Sequence, residues 1–569
     1  MAAGATCASP ALALPSAEQQ LSQLAARLWD EQLRRFPELA TLPAAGQRRP
    51  ELAGRLSDWS RRGRQDWADW ARSAVRRIEA IDATALPQGA TVNRTILLDH
   101  FGKVATLADR HRFGAAAADA GAPVAPYAVS PATGPHRAMS GLRDGQPIAA
   151  RADAEAWLAR LAAFPRALDA ATEAFQVDAA AGIVPPGFAL DSTLAELRKL
   201  RSPGPADHPL VAHLDSQSAS AGLTGNWHDK AAAVLGSAVY PALDRQITAL
   251  TAARSRAPAA AGAWTLPQGE QFYVDAIAWH TGTTMAADAM HRLGLEQVAR
   301  LSGEMDGLLG ELGLGAGSVG QRLYQLGQRP DERYADGASG RTAVLAAFAE
   351  AIERVRPRVP DLFAVPAPAP LAVEPLPAPL AAQRAEACLL GGVVAGTRPD
   401  TVYVNLQDLA AWPRYCIAST AFHGSIPAHL WEGAAASATE DLPAIRKCGV
   451  RYAACTDGWS LYAEQVADEQ GLYARDAASR LGCLRTQLVH AARLVADTGL
   501  NHQRWTIERA AGWLADTTGL APDVARREVE GMAILPGQAS AHAVGQAEWL
   551  RLRELARRVA GANFDQRRF

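Results

Sequence analysis

Apolar residues recur at three- and four-residue spacing along most of this 569-residue chain, a period that leaves room for little besides helices. Residues 17–35 and 66–81 mix Leu, Ala and Trp with charges in this way, and Trp59, Trp67 and Trp70 read as packing between helices. The same spacing predicts helices over 153–181, 193–200, 231–256, 270–280, 294–312 and 342–355. It resumes at 414–422 and then over 457–471, 477–498, 506–517, 523–532 and 540–560. Residues 114–145, rich in Gly, Pro and Ala, read as an extended loop. Proline stands at nearly every second or third position of 365–379, so that run is extended, with an edge strand inside it. Residues 389–394 and 402–406 are apolar and β-prone. The expected fold is mainly α, two-lobed, with a small antiparallel sheet beside a cleft. It divides into residues 1–16, a helical region over 17–364 and a C-terminal region over 365–569.

Gross composition excludes several classes of partner. With 57 basic and 59 acidic residues the net charge is -2, so nothing marks a nucleic-acid or anionic-membrane surface. No apolar run approaches the roughly 20 residues of a membrane span. Cys7, Cys388, Cys416, Cys448, Cys455 and Cys483 form no Cys-x-x-Cys pair and read as small apolar residues, although Cys448 and Cys455 could bridge in an oxidising compartment. Ala11-Leu12-Ala13 has the small-apolar-small pattern of a signal-peptidase site but lacks a basic start. Residues 1–16 are therefore expected to be a leader or a signal-peptide remnant. Periplasmic or secreted localisation follows if it is a remnant, cytoplasmic otherwise.

The chemistry-bearing stretch is His423-Gly424-Ser425-Ile426-Pro427-Ala428-His429-Leu430. In zinc peptidases built on His-Glu-x-x-His, two histidines bind metal and the glutamate is the general base on the metal-bound water. Here Gly424 follows the first histidine, and glycine can neither take nor give a proton. Pro427 cannot donate a backbone hydrogen bond and clashes with the carbonyl of His423, so the helix must kink or bulge between the histidines. No Gly-x-Ser-x-Gly elbow, phosphate loop or dinucleotide fingerprint offers another route. Ser419, Thr420, Ser425, His490 and His502 read as structural polar residues.

Three later stretches complete the pattern: Asp457-Gly458-Trp459-Ser460-Leu461-Tyr462-Ala463-Glu464, Asp497-Thr498-Gly499-Leu500-Asn501, and Pro536-Gly537-Gln538-Ala539 through His542 to Gly545. In this order, with similar stretches at 182–186, 266–270 and 397–405, they resemble the bacterial domain-of-unknown-function 885 family, whose motifs are styled like those of zinc carboxypeptidases. The resemblance covers most of the chain. It implies metal ligands at His423, His429 and Asp457, with Trp459, Tyr462 and Glu464 toward substrate. It places Asn501 and His542 where relatives carry a histidine and a tyrosine that would act on substrate or the tetrahedral intermediate.

Departures from the family pattern gather at that site. Asp457 replaces a glutamate and is one methylene shorter, so it would have to sit about 1.5 Å nearer a metal whose ligand distances tolerate ~0.2 Å. Zinc is therefore expected to bind weakly or not at all. Ala428 replaces a glycine, Leu430 a second histidine, and Leu389 and Leu390 a pair of tyrosines along the cleft. Loss of a general base typically costs ~10²–10⁴ in rate. The expectation is a catalytically impaired metallopeptidase-like protein that at most binds a peptide or small molecule. Two readings stand beside it: an active zinc hydrolase using Asp457, Glu464 or another carboxylate as base, and a helical scaffold without ligand. Relatives usually run further at the C-terminus, so a shortened end with uncovered apolar surface is also expected.

Overall fold

A computed structural model describes residues 15–41, 49–116, 122–365, 367, 370–376, 389–392, 401–450, 452–473 and 476–569. Residues 1–14 of the expected leader, Cys7 among them, Cys388 and residues 397–400 lie outside these. The fold is mainly α, as the periodicity requires. The first predicted helix is Ala17–Arg35. Ser16 caps it by accepting from Gln19 N at 3.2 Å, while the Gln19 side chain accepts from Ser16 N at 3.0 Å.

Helices also form at Pro209–Ser220 and Val319–Gln328, where none was expected, and at two further places. The helix Gln88–Arg110 was not foreseen, because Gly, Thr and Asn crowd its first turns. Tertiary packing forms it: Leu97, Phe101 and Val104 are fully buried, and Phe101 meets the Trp70 ring edge-on at 5.0 Å. Within the expected loop 114–145, the last eleven residues form the helix Pro135–Gly145. Proline at its first position is tolerated there because that N–H has no intrahelical partner.

The sheet is mixed rather than antiparallel. β1 (Ala372–Pro375), β2 (Leu389–Gly392) and β3 (Thr401–Val404) lie in the order β1-β3-β2, with β1 parallel and β2 antiparallel to β3. The long excursion between β1 and β3 allows the parallel pairing, since such a pair needs a crossover of a dozen residues or more. β1 is the edge strand expected in the proline run and ends on Pro375. β2 borders the helix Arg414–Gly424.

Packing runs across residue 364. Phe348, Ile352, Val355 and Leu362 share one core with Val402, Phe422, Trp431 and Tyr462. Leu301, Met305 and Leu323 share another with Tyr415, Leu484 and Leu488. The last residues also pack inward: Ala364 N donates to Arg567 O at 2.9 Å, and the Phe569 ring lies 6.1 Å from those of Tyr462 and Trp549. The exposed apolar side chains at this end are Leu552, Leu555 and Val559. No helix among the described residues is long and apolar enough to cross a membrane. Cys416, Cys455 and Cys483 form no disulfide, so Cys455 is not bridged to Cys448.

Candidate metal-binding site

Four helices meet through glycine contacts, and those contacts bring the histidines together. Gly482, on the helix Ala477–Asn501, is so close to the helix Arg414–Gly424 that an added Cβ would lie 2.0 Å from Tyr415 O. Gly545, on Ala541–Ala560, faces Ala453–Glu469: its Cβ would lie 1.9 Å from Ala454 O and 2.8 Å from Gly458 Cα. Only residues without Cβ permit such approach. The first crossing sets His423 beside His490, and the second sets His542 beside Asp457.

The peptide strand between the two motif histidines is more than kinked. The helix ends at Gly424, and a new one starts at His429. Ser425 spans the break by accepting from Leu430 N at 3.0 Å and Trp431 N at 3.3 Å. Ala428 has φ -98°, so no left-handed backbone is required there and alanine is accommodated. Leu430 is buried in the apolar core.

Four imidazoles and one carboxylate converge. The His423 ring lies 5.1 Å from His429, 5.6 Å from His490 and 5.8 Å from His542, and His490 stacks on His542 at 3.9 Å. One ligand atom each from His423, His490 and His542 fall within 4.8 Å of one another, and so do those of His429, Asp457 and His542. Asp457 Oδ2 is 3.8 Å from His542 Nδ1. His423, His429 and Asp457, the set implied by the family motif, are divided between these two groups. Burial, the Arg493 charge and the other imidazoles push His490 well below the usual histidine range, and burial with its neighbours does the same to His542. Neutral imidazole is the metal-binding form.

Glu464 is fully buried and orients this cluster. Its Oε1 pairs with His423 Nδ1 at 2.7 Å, while Oε2 accepts from the Ser419 hydroxyl, which also meets Thr486 Oγ1 at 2.8 Å. A carboxylate holding one ring nitrogen turns the other toward a ligand position. Both Glu464 oxygens are thus engaged by side chains within the protein. Trp459 and Tyr462 stand in an aromatic core with Phe363, Trp431 and Trp549, and Tyr462 OH accepts from Gln566 at 2.7 Å. His502 is on the surface, 3.1 Å from Asp288.

His490 is the participant the sequence reading left out. A signal existed: Thr486, Gln487, His490, Asp497 and Asn501 form a polar stripe at helical spacing along the helix Ala477–Asn501. All but Thr486 are buried, so the stripe faces the interior.

Further along that stripe, Asn501 serves a separate network. Its amide oxygen accepts from Ala263 N at 2.9 Å, and its NH₂ donates to Met532 O and Asp497 Oδ1, each at 3.2 Å. Asp497 also accepts from Tyr273 OH at 2.7 Å and Gly537 N at 3.1 Å. Together they tie the 497–501 and 536–545 motifs into the core. Burial, opposed by these hydrogen bonds, raises the Asp497 carboxyl from an ordinary 3.8 to about 6. The folded protein therefore binds this proton more tightly than the unfolded chain does. Stability from this group is fullest below pH ~4 and falls as pH rises through ~6, by about 3 kcal/mol. Asp497→Asn is expected to remove that dependence. Urea unfolding at pH 4 and pH 7 checks it: the stability difference between wild type and variant should shift by about 2 kcal/mol against the wild type, and an unchanged difference would refute the assignment.

A cavity of about 340 Å³ adjoins this helix, lined among others by Arg493, Arg527, Glu528, Glu530, Met532 and Leu535. Arg493 stands one turn beyond His490 and pairs with Glu528 at 3.2 Å.

The fold has solved counterparts. A candidate lipoprotein from Colwellia psychrerythraea is 26% identical, with TM-score 0.90 over 97% of this chain and 95% of that one. A candidate lipoprotein of unknown function from Shewanella oneidensis, 16% identical with TM-score 0.71 over 97% of this chain and 96% of its own, shares the fold. No curated protein matches the chain. The model of the family described as bacterial protein of unknown function (DUF885) matches residues 37–569, and the chain belongs to that family.

Proposed function

We propose that this protein is a catalytically impaired, metallopeptidase-like member of its family that binds a peptide or small molecule without hydrolysing it. The observation that carries this reading is the pairing of Gly424 with Glu464. Position 424 has no side chain to move a proton, and the buried carboxylate nearest His423 is spent on that histidine and Ser419. The cavity beside Arg493 offers both signs of charge and apolar walls, which suits the ends and side chains of a short peptide. Zinc fits the donor chemistry of the cluster, since imidazole nitrogen and carboxylate oxygen are its ordinary ligands. Bound there, it would supply Lewis acidity; His423, His490, His542, His429 and Asp457 are the residues available to hold it. The lipoprotein descriptions of the two solved counterparts support an exported location.

Asp457 favours one second reading, an active hydrolase. It is only partly buried and lies at the cluster, 3.8 Å from His542 Nδ1, where it could serve as base. Assay of the zinc-supplemented protein against dipeptides and tripeptides separates the two. The expected result is peptide binding by calorimetry with no turnover, and a gain in hydrolysis of roughly 10²-fold or more in Gly424→Glu. Turnover in the wild type that Asp457→Asn abolishes would establish the hydrolase instead.

A further inference from the structure

We propose that the cation site of this chain has shifted from the motif set of His423, His429 and Asp457 to a three-imidazole set of His423, His490 and His542, which takes one zinc ion. This deepens, and rests on, the reading of the cluster as metal-binding. Three independent observations point there. The ligand atoms of these three residues already lie within 4.8 Å of one another, whereas the motif set is split between two groups. Imidazole nitrogens on one tetrahedral zinc stand about 3.3 Å apart, given Zn–N bonds of ~2.0–2.1 Å, so the set must close by little more than an ångström.

The second observation is an unmet donor or acceptor. His490 is buried, yet its Nδ1 has no hydrogen-bond partner. A buried polar atom without a partner is costly, and native structures rarely leave one unexplained. The third is orientation. Glu464 holds His423 Nδ1 at 2.7 Å, leaving Nε2 as its ligand atom. The His490 and His542 rings stack at 3.9 Å, so one of them must tilt out of the stack for both nitrogens to face the ion that His423 Nε2 faces.

The chemistry of the shift is coherent. The motif set would have to draw His423 from one group and His429 with Asp457 from the other. His423 with the imidazoles of His490 and His542 supplies the three protein ligands of an open zinc site. His429 and Asp457 then border its remaining position, both within ligand range of His542.

The test uses the full-length protein stripped with chelator and titrated with zinc alone, then examined by zinc X-ray absorption. Unsubstituted protein should take up one equivalent, with at least three imidazoles in its coordination shell. His490→Gln and His542→Phe should each weaken zinc by 100-fold or more and remove one imidazole from the spectrum, with circular dichroism unchanged. Cobalt(II) absorption gives a second readout on the same variants, whose tetrahedral bands should fade. Zinc binding lost in His429→Gln and Asp457→Asn but intact in His490→Gln and His542→Phe would overturn the shift. No zinc uptake by the unsubstituted protein would overturn it as well. Neither failure touches the non-hydrolytic reading, which turnover decides.

Discussion

Gly545→Ala is expected to lose about 3 kcal/mol of stability and to push His542 away from Asp457. The new Cβ would lie 1.9 Å from Ala454 O and 2.8 Å from Gly458 Cα. Both atoms are helix backbone, so no side chain can rotate aside. The helices Ala453–Glu469 and Ala541–Ala560 must separate by more than an ångström, and the buried surface they share opens with them. Trp549 Nε1 donates to Cys455 O at 3.0 Å across the same crossing, and that bond would stretch too. Gly458→Ala would meet Gly545 Cα at 2.4 Å and should cost a similar amount. Because one displacement relieves both clashes, the double variant should fall well short of the sum of the single ones. Denaturant titration of the three proteins checks this. Single variants within ~0.5 kcal/mol of the wild type would show that the crossing is not close.

The same crossing explains which parts of the molecule could be read beforehand. Helices with a continuous apolar stripe, such as Ala17–Arg35 and Ala477–Asn501, follow from periodicity, because burying the stripe is what forms them. Gln88–Arg110 has weak local preference, and its helical state depends on Trp67, Trp70 and other partners distant in sequence. Motif resemblance brought His423, His429, Asp457 and His542 to attention, since each stands in a recognisable stretch. His490 stands in none. Its place in the cluster is fixed by the approach of Gly482 to Tyr415, a property of two helices rather than of either sequence alone. Glu464 was visible as a site residue, but its inward direction depends on the same approach, which puts His423 and Ser419 against it.

That inward direction gives Glu464 two separable effects, on folding and on metal. Glu464→Leu keeps comparable bulk but strands His423 Nδ1 and leaves the Ser419 hydroxyl with Thr486 Oγ1 alone. Leaving a buried donor unmet costs ~1–3 kcal/mol and losing a net hydrogen bond ~1, so a loss of about 3 kcal/mol is expected. Glu464→Gln differs. Its carbonyl can still accept from His423 Nδ1–H and its NH₂ can face Ser419, so the fold should lose 1 kcal/mol or less, roughly one net hydrogen bond. What disappears is the negative charge behind the imidazole. Such a partner raises the basicity of the ligating histidine, and its loss typically weakens metal binding ~10–100-fold. Zinc titration and urea unfolding of both variants read the two effects separately. If Glu464→Gln unfolds as readily as Glu464→Leu, the charge itself supports the fold. If instead it binds zinc as tightly as the wild type, Glu464 is a packing residue and His423 does not depend on it for its direction.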